Sequence, residues 1–176
     1  ISISIDKDAV LRSGIMLPDS IRHLKGKELK NAIPDKIYIS LKDMRILTKV
    51  DMLMLEMLAN CNWERPLYMA ISVGEVSKLK FDHYFVQEGL AFRFTPFDYK
   101  KWGNVKGDNN YAIDVERLYE NVMNRYKYGG LDTPGLYLDE TTLRTCYYHR
   151  RLFAQLAKEL DRKSTRLNSS HQALSR

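Results

Sequence analysis

Residues 36–72 hold the feature that most constrains this chain. Val50, Leu53, Met54, Met57, Leu58 and Cys61 recur at i, i+3, i+4, i+7, i+8 and i+11. That is the spacing of one face of a helix with a wide apolar stripe. Thr48 stands where it can cap this helix, with Asp51 three residues on as a short version of the capping box. Asn60, Asn62 and Pro66 end it, because proline disfavours helix in the residue before it. Short runs rich in β-formers flank it, Lys36–Leu41 before and Leu67–Ser72 after. Strand, helix, strand over so short a stretch predicts a βαβ unit, with the helix laid on a sheet face.

The rest of the chain fills in around that unit. Ile1, Ile3 and Ile5 alternate with Ser2 and Ser4, the period of a half-buried strand. Residues 6–35, with Pro18 and Pro34, are expected to be irregular with one short helical turn. Phe81–Gln87 reads as a helical turn broken by Gly89, and Leu90–Thr95 as a strand closed by Pro96. Residues 97–112 read as a polar, aromatic loop. Asp114 can cap a helix carrying Val115, Leu118, Tyr119, Val122, Met123 and Tyr126, which Gly129 and Gly130 stop. A last helix begins at Asp139 or Thr141 and runs to Leu160. The expected fold class is α/β: a small mixed sheet of three to four strands with a βαβ unit, packed by about three helices and followed by a C-terminal helical extension. Residues 1–135 form the α/β domain in this reading, and 136–160 the helix that can open a helical array.

The text changes character after Leu160. Asp161–His171 reads DRKSTRLNSSH, which matches the translation of a common sequencing adapter, so 161–176 is set apart as a non-native tail. Arg162, Lys163, Arg166 and Arg176 against Asp161 supply half of the net charge of +6. The mildly basic remainder has no basic stripe, so no nucleic-acid partner is expected. The start at Ile1 lies within a strand pattern and shows no signal peptide, which reads as a fragment of a longer protein. No run of about 18 apolar residues is present to span a membrane.

Chemistry-bearing residues are sparse. His23, His83 and His149 lie far apart, and no HExxH or CxxC spacing occurs, so no metal is expected. No Gly-rich phosphate cradle is present and no cofactor is expected. Cys61 and Cys146 are too few for a disulfide framework and read as small buried hydrophobes. No nucleophile, base or metal set can be assembled. Phe92 and Phe94 share one strand face and belong to a core. Tyr99 and Trp102, beside Lys100 and Lys101, are candidates for a contact surface toward a sugar, a membrane interface or a neighbouring domain.

Four blocks carry a resemblance. They are Leu47–Asp51, Asn62–Ala70 (NWERPLYMA), Tyr84–Pro96 (YFVQEGLAFRFTP) and Tyr119–Tyr126 with Gly129-Gly130-Leu131. In this order they resemble DUF2723, a family of multi-spanning bacterial membrane proteins common in Bacteroidetes, whose animal relatives are protein O-mannosyltransferases. The resemblance covers about residues 36–160 and the part of that family that follows its membrane helices. It implies a bacterial inner-membrane parent with this region periplasmic. The chain would then be a soluble, non-catalytic accessory domain of a glycosyltransferase-like protein. Its partners would be the membrane-embedded part of the same polypeptide and an acceptor protein. The alternative is a non-catalytic interaction module of a membrane protein without transferase activity. No catalytic residue carries over. Among the matching positions, Trp63, Pro66 and Gly89 are assigned structural roles: anchoring the helix–strand corner, fixing the helix exit, and taking a left-handed turn. Arg65 and Tyr84 join Tyr99 and Trp102 as candidate binding residues.

Overall fold

The computed structural model describes residues 1–42, 45–73, 81–105, 111–131 and 133–174, with side chains as far as 164. The 106–110 part of the polar loop therefore lies outside the described residues. The chain divides into two compact units. The first is Ile1–Gln87 with Ala91–Ile113; the second is Glu88–Leu90 with Asp114–Arg176.

In the first unit, strand β1 (Ser2–Ser4) pairs antiparallel with β2 (Lys36–Tyr38), in the register Ser2↔Tyr38 and Ile3↔Ile37. Ile3 and Ile37 are both buried, so the alternation read in the sequence does set the inward face. Two short helices lie between these strands. Helix α1 (Lys7–Arg12) is capped by Asp6, whose Oδ1 accepts from the Asp8 and Ala9 amides at 2.9 and 3.0 Å. Helix α2 (Gly26–Ala32) is tied back by Lys30 to Asp8 at 2.6 Å. The segment expected to be largely irregular is thus more ordered than its prolines imply.

Helix α3 (Lys49–Asn60) begins with the capping box read in the sequence: the Asp51 amide donates to Thr48 Oγ1, and the Thr48 amide donates to Asp51 Oδ2 at 2.9 Å. The face it buries differs from the expected stripe. Asp51, Leu55 and Leu58 are buried and Met54 and Cys61 half-buried, whereas Val50, Leu53 and Met57 are exposed. Residues 50–59 are apolar almost all round, so two stripes were available. The capping box turns Asp51 inward and selects the 51–55–58 stripe.

A four-stranded mixed sheet completes this unit, in the order β3-β5-β4-β6. Its strands are β3 (Tyr68–Ala70), β4 (Phe85–Gln87), β5 (Ala91–Phe94) and β6 (Ala112–Ile113). Strand β5 pairs antiparallel with both β3 and β4, and β4 pairs parallel with β6. The α/β class with a small mixed sheet is what the sequence predicts, but the βαβ unit is not formed. Strands β2 and β3 lie in different sheets: β2 pairs with β1, and β3 with β5. Phe81–Gln87 is a 3₁₀ turn (Asp82–Tyr84) that leads directly into β4, where a helical turn was expected throughout.

In the second unit, helix α4 (Val115–Tyr119), capped by Asp114, runs on into a π-helical turn, Glu120–Arg125. It packs on α5 (Glu140–Leu174), with Leu118, Val122, Leu152 and Leu156 buried. Tyr128 lies against His149 and Phe153, at ring-centre distances of 5.5 and 6.0 Å. The segment Glu88–Leu90 is held by α4 and its π turn. Arg117 Nη1 meets Glu88 Oε1 at 2.8 Å, Asn121 Nδ2 donates to the Glu88 carbonyl at 2.7 Å, and the Leu90 amide donates to the Tyr126 hydroxyl at 2.9 Å.

Candidate functional site

The corner after α3 is built on strained backbone. Asn62 and Trp63 both hold positive φ, +47° and +62°. Asparagine tolerates that region, but tryptophan adopts it at a cost of the order of 1–2 kcal/mol. Burial of the indole offsets that cost. Trp63 stacks on Phe94 at 5.4 Å and 17°, and its Nε1 donates to the Ser4 carbonyl at 3.0 Å. The strain therefore aims a large side chain into the core and brings the chain out as Glu64-Arg65-Pro66.

Beside this corner is a small cleft lined by Ile15, Cys61, Trp63, Arg65, Pro66, Leu67, Arg93 and Phe94. Arg65 is exposed and Arg93 buried. Arg93 Nη2 donates to the Ser13 carbonyl at 2.8 Å. The two guanidinium-bearing residues make the lining cationic. The free space is about 10 Å³, at the limit for a single water molecule and far below the roughly 300 Å³ of a small-ligand pocket. Burial pushes the Cys61 thiol up from its ordinary value, so it stays protonated near neutral pH.

The other candidates fall in the aromatic segment 81–105. Tyr84 is buried, 4.5 Å from the His83 ring and 6.3 Å from Phe94. Burial, and then the nearby Asp98 charge, raise its hydroxyl above the usual value. Tyr99 is fully buried and its hydroxyl donates to the Met16 carbonyl. The surface-contact role expected for Tyr99 is therefore corrected: it is a core residue, drawn in by that hydrogen bond and by Phe97 at 6.1 Å. Trp102 is half-buried, edge-on to Phe97 at 6.3 Å. Of the four residues proposed for binding, Arg65 alone is exposed, and Tyr84, Tyr99 and Trp102 do not line the cleft. Gly89 has φ +151°, an extended mirror-image conformation rather than a left-handed helical one. A Cβ there would collide with the Tyr126 hydroxyl.

Sequence reasoning passed over a cluster that the fold assembles. Asp98 is buried, with Oδ2 3.7 Å from His83 Nε2 and 3.3 Å from Lys101 Nζ, while its Oδ1 accepts from the Lys101 amide at 3.1 Å. The Lys101 amide closes the turn on this carboxylate, and His83 lies near it beyond hydrogen-bond distance. No local signal marked it, because His83 and Asp98 are 15 positions apart. Arg93 was passed over too. A lone arginine between Phe92 and Phe94 in a core strand is the signal that could have found it. Among the described residues no group of three or more His, Cys, Asp or Glu could hold a metal ion. No described helix is long and apolar enough to cross a membrane.

The fold is that of a small mixed α/β module. The chain belongs to the family TMEM260-associated domain 2, whose model matches residues 1–116. TMEM260 is a protein O-mannosyltransferase. This finding overturns the expectation of DUF2723 membership and leaves the Bacteroidetes attribution without support. Three of the four blocks behind that expectation, at 47–51, 62–70 and 84–96, lie inside the matched residues; the fourth, at 119–131, lies beyond them. No curated protein and no solved structure matches the chain significantly.

Proposed function

We propose that this chain is a non-catalytic accessory domain on the extracytoplasmic side of a membrane-bound, O-mannosyltransferase-like protein. It works against the membrane-embedded part of the same polypeptide and helps to present an acceptor protein. The observation that carries this reading is the family match over residues 1–116, to a domain named for its association with a protein O-mannosyltransferase. The buried Arg93, Trp63 and Phe94 pack the corner after α3 into the core, which suits a supporting part.

The test starts by recovering the complete reading frame around this sequence. Multiple apolar spans are expected. Removing the segment that encodes 1–116 is then expected to abolish mannose transfer to acceptor, while the remainder still inserts into the membrane. A frame without apolar spans, or undiminished transfer, overturns the proposal. Spans without transfer in either version point instead to an interaction module of a membrane protein with no transferase activity.

A further inference from the structure

The outer face of α3 is apolar and uncovered. Ile46 is 77% exposed, Leu53 64% and Met57 59%, with Leu47 and Val50 also exposed. Val50, Leu53 and Met57 follow helical spacings of three and four within α3, so they share one face of it, and the exposed Ile46 and Leu47 immediately precede its N-cap, Thr48. Met52, 60% exposed, widens this apolar face, and clustered exposed apolar residues mark a contact site.

Among the described residues, the exposed charge at the start of this face is cationic. Lys42, Arg45 and Lys49 cluster at its N-terminal end and are exposed. Asp43, between them in sequence, lies outside the described residues. The N-terminus of a 12-residue helix adds its own partial positive charge there. Of the two acids in α3, Asp51 is buried in the capping box, so Glu56 alone faces outward. Exposed apolar residues beside a cationic end are the chemistry of a helix that lies shallowly in an anionic bilayer surface.

We propose that the exposed face of α3, with the residues just before it, docks on an anionic phospholipid surface, with Val50, Leu53 and Met57 entering the interface beside Ile46 and Leu47, and Arg45 and Lys49 meeting headgroup phosphates. The inference takes from the proposed function only that the domain works beside a membrane, and its test needs no transferase. The full chain is floated with phosphatidylcholine vesicles containing about one-third phosphatidylserine. Binding is expected to these vesicles, and to fall in neutral vesicles and at about 0.5 M salt, where charges a few ångströms apart are screened.

The pair Leu53→Glu and Met57→Glu is expected to cut the partition roughly tenfold or more. The pair Arg45→Glu and Lys49→Glu keeps the apolar stripe and is expected to remove the dependence on anionic lipid. Circular dichroism of each variant confirms that it folds, as substitution on an outer helix face permits. Absence of flotation overturns the proposal. So does binding that both variant pairs leave unchanged, and so does concentration-dependent dimerisation without flotation, which would assign the stripe to a second copy. Vesicle binding with unchanged mannose transfer on domain removal would leave this inference standing while the functional reading fell.

Discussion

Gly89 is the residue whose identity the backbone most narrowly restricts. Its φ of +151° is open to glycine and closed to side chains, and the Tyr126 hydroxyl occupies the place of a Cβ. That same hydroxyl accepts from the Leu90 amide. Substituting Gly89→Ala is expected to cost about 1–3 kcal/mol from backbone strain alone, read as a lowered urea midpoint at unchanged slope. The sequence shows a glycine between two structured stretches, and hence a turn. It does not show that Tyr126, 37 positions on, is what forbids anything larger. Trp63 presents a similar case. A tryptophan at a helix exit suggests an anchor, but the positive φ that aims it inward and the Ser4 carbonyl that receives its N–H become visible only in the fold.

At the scale of elements, α3 separates what periodicity can decide from what it cannot. The helix and its cap were legible, because capping is a matter of residues three apart. Its buried face was not. Leu53 and Leu55 are chemically alike, yet Leu53 is exposed and Leu55 buried. Leu55→Ala is therefore expected to cost about 2–5 kcal/mol, while Leu53→Ala stays within about 0.5 kcal/mol. A larger loss for Leu53→Ala than for Leu55→Ala in equilibrium unfolding would mean that the expected 50–53–57 stripe, and not 51–55–58, faces the core. Strand pairing is the other lesson of this scale. The run Lys36–Leu41 forms a strand only over Lys36–Tyr38, and its partner is the first segment of the chain and not the strand after α3. Local composition proposes strands; contacts between distant segments choose their partners.

For the whole molecule, the division into two units makes a prediction that uses only natural probes. Trp63 and Trp102 both lie in the first unit, so tryptophan fluorescence reports on it alone. Far-ultraviolet ellipticity is weighted toward α5, the longest helix, in the second unit. Urea transitions followed by the two signals are expected not to coincide, the mark of separate cooperative units. Superimposable curves would show one cooperative block. The family match ends at residue 116, close to where the first unit ends at Ile113. The part that carries the family resemblance is thus nearly the same as the part that holds both sheets.

What the sequence by itself determined is local. It holds the capping box at Thr48 and Asp51, the strands around Ile3, Ile37, Tyr68 and Phe92, the helix after Asp114, and the absence of a familiar catalytic spacing. Each of these depends on residues within about one turn or one strand of each other, which is the range over which backbone propensity and side-chain period act. The tertiary structure decided the rest. It set which stripe of α3 is buried, which strands share a sheet, that Tyr99 is core rather than surface, and that His83 meets Asp98. Those outcomes turn on contacts between segments far apart in the chain. There the burial of one face, or the satisfaction of one hydroxyl, is settled by whichever distant group arrives, and no local pattern records that choice.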